Sequence, residues 1–217
     1  MDVQAEYHSV SMGGVFLKSR HKPLIYVTAA ALLIAAEVVL NRFASINTMG
    51  LKIGFAFVPP TLAAIMFGPG MSAAVWGLSD LLGAILFPIG PYHPGFTVCA
   101  ALMGVISGFL LNPDFTRRLL KKRKDGPVPP IRSRVRIFPN VVVTVLFNCL
   151  VLGLTVNTAW VSMLYGSRTY WGWFLYRLGE YAILVPVEIV IIPVLIKLGD
   201  TLKKRLRIAE VKKQNDA

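Results

Sequence analysis

The sequence predicts an all-α integral membrane protein, a bundle of six transmembrane helices with both termini on the cytoplasmic face. Three observations predict it. Hydrophobic residues are 55% of the 217 and mean hydropathy is +0.61, more apolar than a soluble domain of this length sustains. The apolar residues form near-continuous blocks of spanning length, such as "PLIYVTAAALLIAAEVVL" and "NVVVTVLFNCLVLGLTV", rather than amphipathic stripes. The basic residues behind the net charge of +12 fall in the gaps between those blocks, where membrane topology accounts for them better than nucleic-acid binding does.

Taken in order, the spans are Leu24–Leu40, Ile53–Phe67, Met71–Phe87, Phe96–Leu111, Ile137–Val156 and Trp171–Leu198. Each must be helical, because backbone groups in lipid find partners only within their own segment. The second is short and carries Pro59 and Pro60, which predicts irregularity. "FGPG" after it leaves room only for a tight turn. The sixth is long and holds Pro186 and Pro193, which predicts tilt or a kink. Basic residues precede the first span but no small-residue cleavage site follows it, so no signal peptide is expected. Cys99 and Cys149 lie inside apolar runs and suit core packing better than a disulfide or a metal.

Orientation follows from the Lys and Arg residues of the connectors. Lys18, Arg20 and Lys22 precede the first span. Arg117, Arg118, Lys121, Lys122, Arg123, Lys124, Arg132, Arg134 and Arg136 lie between the fourth and fifth spans. Lys197, Lys203, Lys204, Arg205, Arg207, Lys212 and Lys213 end the chain. With six spans these regions share one face, the cytoplasmic one. The organisation expected is a cytoplasmic segment over 1–23, a six-helix substrate-binding domain over 24–198 with a basic loop at 112–136, and a basic tail over 199–217.

Four cations remain for the outer face: Arg42, Lys52, Arg168 and Arg177. Two readings stand. Basic side chains near helix ends reach out to headgroups, and Arg177 has Glu180 three residues on, on the same helical face. Alternatively the four converge, and make an outward-facing anion site in which Arg supplies a planar fork of donors to a carboxylate. Asn148 lies within the fifth span and needs a polar partner, so an amide there suits the edge of a flat heterocycle. Trp160 suits its face. Trp171 and Trp173 read as an aromatic belt, His93 as incidental, and Asp80 as either a ligand contact or a helix cap. Ala31 and Ala35 share a helix face, as do Ala73 and Gly77. Such small-residue spacing serves internal packing or docking onto a partner membrane protein.

The motif search excludes much. The sequence has no G-x-x-x-x-G-K-[ST], no H-E-x-x-H, no G-x-S-x-G and no clustered His or Cys. Glu37, Asp80, Glu180 and Glu188 are the only acid–base candidates at membrane depth. The reading is therefore not an enzyme, with no cofactor and no metal, although an intramembrane enzyme remains an alternative.

The segments "LNRFASINTMGLKIGFAFVPPTLAAIMFGPGMSAAVWGLSDLLGAIL", "PGFT" and "NTAWVSMLYG", in that order, resemble the substrate-binding S components of energy-coupling factor (ECF) vitamin transporters. The likeness is greatest to the folate-specific S component and runs from about Ala30 to Pro193. The resemblance implies capture of one vitamin from outside a bacterial plasma membrane, delivered with a shared transmembrane coupling subunit of the EcfT type and two ATPase subunits. It implies docking through Ala31 and Ala35, with Ala73 and Gly77 as a second small-residue face. It implies a substrate site of Arg42, Phe43, Lys52, Phe96, Asn148, Trp160 and Arg177. Arg42, Lys52 and Arg177 are expected to take carboxylates, Asn148 the pterin edge, and Phe96 and Trp160 the ring face. An S component for riboflavin or thiamine is the alternative within the class.

Overall fold

The computed structural model describes residues 22–48, 51–88, 90–112, 115, 134–166 and 169–215. The basic residues Lys18, Arg20, Arg117 to Arg132 and Arg168 lie outside the described residues. A first helix, α1 (Lys22–Arg42), leads into a two-stranded antiparallel hairpin, β1 (Ser45–Thr48) and β2 (Leu51–Gly54). Then come α2 (Val58–Phe67), α3 (Pro69–Leu86), α4 (Pro94–Leu111) and α5 (Arg134–Leu146). α5 runs without a break into a π-helical segment, Phe147–Val156, and on into α6 (Asn157–Tyr165). The last helix, α7, takes Tyr170–Asn215.

Four of these helical runs are long and apolar enough to cross a membrane: Pro69–Leu86, Pro94–Leu111, Phe138–Tyr165 and Tyr170–Arg205. The chain is a multi-pass membrane protein. The predicted span Ile53–Phe67 is corrected. Its first two residues are strand, and α2 has 10 residues, about 15 Å of helix against an apolar layer of about 30 Å. Pro59 and Pro60 do not disrupt it, because they sit in its first turn, where the missing N–H groups have no helical acceptor anyway. Gly68, at φ 91°, makes the turn into α3 that "FGPG" predicts. The carbonyls of Ala64 and Ile65 near the end of α2 accept from Asn112 Nδ2 at 3.3 and 3.1 Å. A short helix buried in apolar surroundings needs such a cap. α7, at 46 residues, carries Pro186 and Pro193 and continues past 198 without interruption.

Close backbone approach holds α3 to α4. A Cβ at Gly104 would lie 2.5 Å from the Ser72 carbonyl, and one at Gly108 would lie 2.2 Å from Cα of Pro69. This is the small-x-x-x-small contact that lipid-embedded helices use in place of a hydrophobic drive. The core is filled from α2, α4, α5, the π segment and α7 by Ile65, Leu111, Val145, Leu154, Ile192 and their neighbours. Cys99 and Cys149 are buried and free.

Ring contacts tie the helix ends and connectors together. Phe43, past the end of α1, meets Phe87, past the end of α3, edge to face at 5.3 Å. His93, at the start of α4, stacks on Trp160 of α6 at 4.6 Å. Tyr165, ending α6, packs on Trp173 of α7 at 5.7 Å.

Candidate functional site

Below the hairpin a cavity of about 370 Å³ opens between α1, α2, α3, α4, the π segment, α6 and α7, within the range that holds small organic ligands. Of the predicted site residues, Arg42, Phe96, Asn148 and Arg177 line it. Phe43 and Trp160 stand outside the lining, and each is engaged by another ring, Phe87 and His93 respectively. Lys52 is in β2 opposite Asn47. Helix α1 leaves Ala31 and Ala35 on its exposed side. Gly77, by contrast, is buried, with Ala101 of α4 only 3.3 Å from where its Cβ would be. Ala73 sits at the Gly104 contact. The α3 pair therefore serves the α3–α4 contact.

The two cavity arginines differ in their surroundings. Arg177, 7% exposed, has its donors occupied. Its Nε donates to Glu180 Oε2 at 3.4 Å, Nη1 to Thr158 Oγ1 at 3.2 Å and Nη2 to the Tyr181 hydroxyl at 3.0 Å. The guanidinium also lies 5.5 Å from the Tyr181 ring centre. The ion pair lies within α7 and the Nη1 bond to Thr158 ties α7 to α6, so removal of the arginine frees that contact and strands the buried carboxylate. Arg177→Met is therefore expected to destabilise the fold by about 3 kcal/mol. The measurement is the unfolding midpoint in detergent, and an unchanged midpoint would refute this structural role.

Arg42 is placed otherwise. It closes the last turn of α1, where the helix dipole favours a cation. Among the described residues its Nε is buried without a hydrogen-bond partner, and no carboxylate pairs with it. Glu37, one turn and a residue earlier, instead accepts from Asn41 Nδ2 at 2.7 Å. Asp80 accepts from the Thr97 hydroxyl at 2.7 Å. Arg42 is thus a charge turned to the cavity with its donors to spare.

Elsewhere the cavity presents polar atoms in an apolar wall. Asn148 donates through Nδ2 to Ser107 Oγ at 2.8 Å, and Ser107 in turn donates to the Met103 carbonyl at 2.7 Å. That chain fixes the sense of the amide, so Asn148 shows its Oδ1, buried and without a partner. Oδ1 of Asn157 is likewise unpartnered, as is the indole N–H of Trp76, and all three residues line the cavity. Buried polar groups left open in this way are a site's usual mark. The π segment brings this about. It places Asn148 and Cys149 at its start on the cavity wall and delivers Asn157 at its end, and π-helical stretches recur at functional sites for this reason.

The sequence reading missed Trp76, Asn157, Ser107 and Glu188 as lining residues. Trp76 and Asn157 sit inside segments quoted above, and Asn157, nine residues after Asn148, was a visible polar break in an apolar run. Nothing in the spacing singles out Ser107. His93 is not incidental: Nδ1 accepts from the Gly95 N–H at 3.0 Å and caps α4. Among the described residues no His, Cys, Asp or Glu group of metal-binding size occurs.

Helical membrane architecture and an open, polar-studded cavity define a membrane protein that binds a small organic molecule. The comparisons make the class specific. The chain belongs to the family described as ECF-type riboflavin transporter, S component, whose model matches residues 24–198. It is 34% identical over 183 residues to the folate transporter FolT of Clostridium novyi (strain NT), covering 84% of this chain and 94% of that one. It is 26% identical over 163 residues to the folate transporter FolT of Leuconostoc mesenteroides subsp. mesenteroides, covering 73% and 77%. A crystal structure of FolT bound with folic acid superimposes with a TM-score of 0.61 at 27% identity, covering 76% of this chain and 87% of that chain.

Proposed function

We propose that this chain is the high-affinity folate-binding S component of an ECF-type vitamin importer. The observation that carries the proposal is the Arg42 guanidinium in the cavity wall, unpaired among the described residues, with buried acceptors and an indole donor also facing the cavity. Folate has complementary chemistry. Its flat pterin offers an amino group and a ring N–H, which require acceptors such as Asn148 Oδ1 and Asn157 Oδ1. Its ring nitrogens accept, as from Trp76. Phe96 and its aromatic neighbours suit the ring face. Its glutamate tail ends in two carboxylates, which Arg42 and, from the hairpin, Lys52 would hold. Two FolT relatives support this choice of vitamin. Riboflavin, the vitamin of the family description, has an uncharged polyol tail and gives Arg42 nothing to pair with.

In this reading six helical runs sit in a bacterial plasma membrane with both termini cytoplasmic, the second crossing being made by β2 and the short α2 together. The substrate-binding domain is 24–198, with the basic loop 112–136 and the tail 199–217 on the inside. The cavity then opens outward beneath the hairpin. The energy comes from two ATPase subunits through a transmembrane coupling subunit docked on Ala31 and Ala35 of α1.

The test is calorimetric titration of the purified chain in detergent with folate, riboflavin and thiamine in parallel. Tight one-to-one binding of folate alone is the expected result. Tight binding of riboflavin or thiamine in its place would keep the class and overturn the role of Arg42. No binding by a folded sample would overturn the transport reading.

A further inference from the structure

Gly83 is a buried glycine inside α3, in sequence between cavity-lining Asp80 and Ala84. Glycine weakens a helix interior relative to alanine, so its presence here calls for a reason. The reason lies across the α1–α3 contact. A Cβ built on Gly83 would meet Arg42 Nε at 3.0 Å, Nη2 at 3.1 Å and Cζ at 3.4 Å, and those are its three nearest heavy atoms outside its own helix. The guanidinium of Arg42 rests directly on the α3 backbone at a position that has no side chain.

We infer that Gly83 is the positioning residue for Arg42, and through it a determinant of selectivity for ligands with an anionic tail. The inference rests on the folate-binding reading above. Resting on Gly83 restrains a long side chain whose freedom would otherwise oppose binding. It also keeps the guanidinium on α3 without an acidic partner. Asp80, a turn back on the same helix, is engaged by Thr97, and Glu37 on α1 by Asn41. The Nε–Nη2 edge faces Gly83, and Nη1 with the outer side of Nη2 is left to the ligand. A methyl at 83 requires the guanidinium to give by a few tenths of an ångström. A branched side chain leaves it no place on α3.

The experiment compares folate with folate amidated at both tail carboxylates, an uncharged ligand of the same shape, on the purified full-length chain. Gly83→Val is expected to weaken folate binding about tenfold or more while changing the diamide by less than about twofold. Gly83→Ala should fall between it and the native chain. The double variant Gly83→Val with Arg42→Ala should lose no more folate affinity than Arg42→Ala alone, since the two act through one group. Equal losses for folate and diamide, additive losses in the double variant, or unchanged folate binding by Gly83→Val would each overturn the inference. Failure of the native chain to prefer folate over its diamide would instead overturn the folate reading itself, so the two failures are told apart. Unfolding midpoints of the single variants show whether α3 still packs, and Gly83→Ala serves as the well-folded reference.

Discussion

Arg42→Ala is expected to weaken folate binding by about 30- to 150-fold, equivalent to about 2–3 kcal/mol, and to leave the tail diamide nearly untouched. The size follows from the surroundings of the side chain. A charge-assisted, two-pronged contact to a carboxylate is among the stronger single contacts a binding site can make. Arg42 would meet the ligand with no competing carboxylate among the described residues and with Nε already out of water. The cost of stripping that nitrogen of solvent is borne when the protein folds, and ligand binding does not repeat it. Arg177 supplies the contrast. It lines the same cavity, but Glu180, Thr158 and Tyr181 hold its donors, so its loss should appear in the unfolding midpoint and not as a change in the ratio of folate to diamide affinity. Equal loss of both ligands in Arg42→Ala would remove Arg42 from the carboxylate role.

Ala31→Trp is expected to leave folate binding by the isolated chain unchanged and to abolish uptake by cells that supply the coupling and ATPase subunits. Ala31 and Ala35 are exposed on α1, on a side that also leaves Val27, Leu32 and Val39 outward. An indole on such a side is well tolerated by lipid and touches nothing of the cavity. A helix from another subunit, however, approaches closely only over small residues, and one large ring holds it off. Normal uptake with normal binding would place the coupling surface elsewhere.

Much of the architecture was legible because in a membrane the apolar run and the backbone's need for internal partners leave few alternatives. The runs around Met71–Phe87, Phe96–Leu111, Ile137–Val156 and Trp171–Leu198 all reappear as helices, displaced by a few residues at their ends or extended. The second run failed as a continuous helix because hydropathy does not tell a strand from a helix. Leu51–Gly54 is apolar enough for a helix, yet it pairs with Ser45–Thr48 as a strand. Only the two-residue separation ending in Gly50, typical of tight hairpins, hinted at this.

The candidate site was half legible. Ionisable and amide side chains are rare enough in apolar segments that Arg42, Asn148 and Arg177 announced themselves. What the sequence does not carry is which of two arginines has its donors already taken. That depends on Thr158 and Tyr181, which arrive from other turns. Nor does it carry which aromatic faces inward: Trp160 is drawn to His93, whereas Trp76 lines the cavity. The small-residue spacing at Ala73 and Gly77 was visible, but Gly104 against Ala73 and Ala101 against Gly77 make it an internal seam.

The ten-residue α2 has a consequence of its own. At its start it follows β2 of the hairpin and gives Thr61 to the cavity wall, with Phe57 just before it. At its finish Asn112 holds its carbonyls, at the first residue of the basic loop. A helix this short has little length over which to bend, so it links the cavity beside the hairpin to the first residue of the basic loop, and displacement at one end would be registered at the other. By reciprocity, any free energy with which a bound vitamin biases the hairpin end through this helix is returned as an equal bias on whatever engages the loop end. Loading and partner engagement would then be two readings of a single mechanical coordinate.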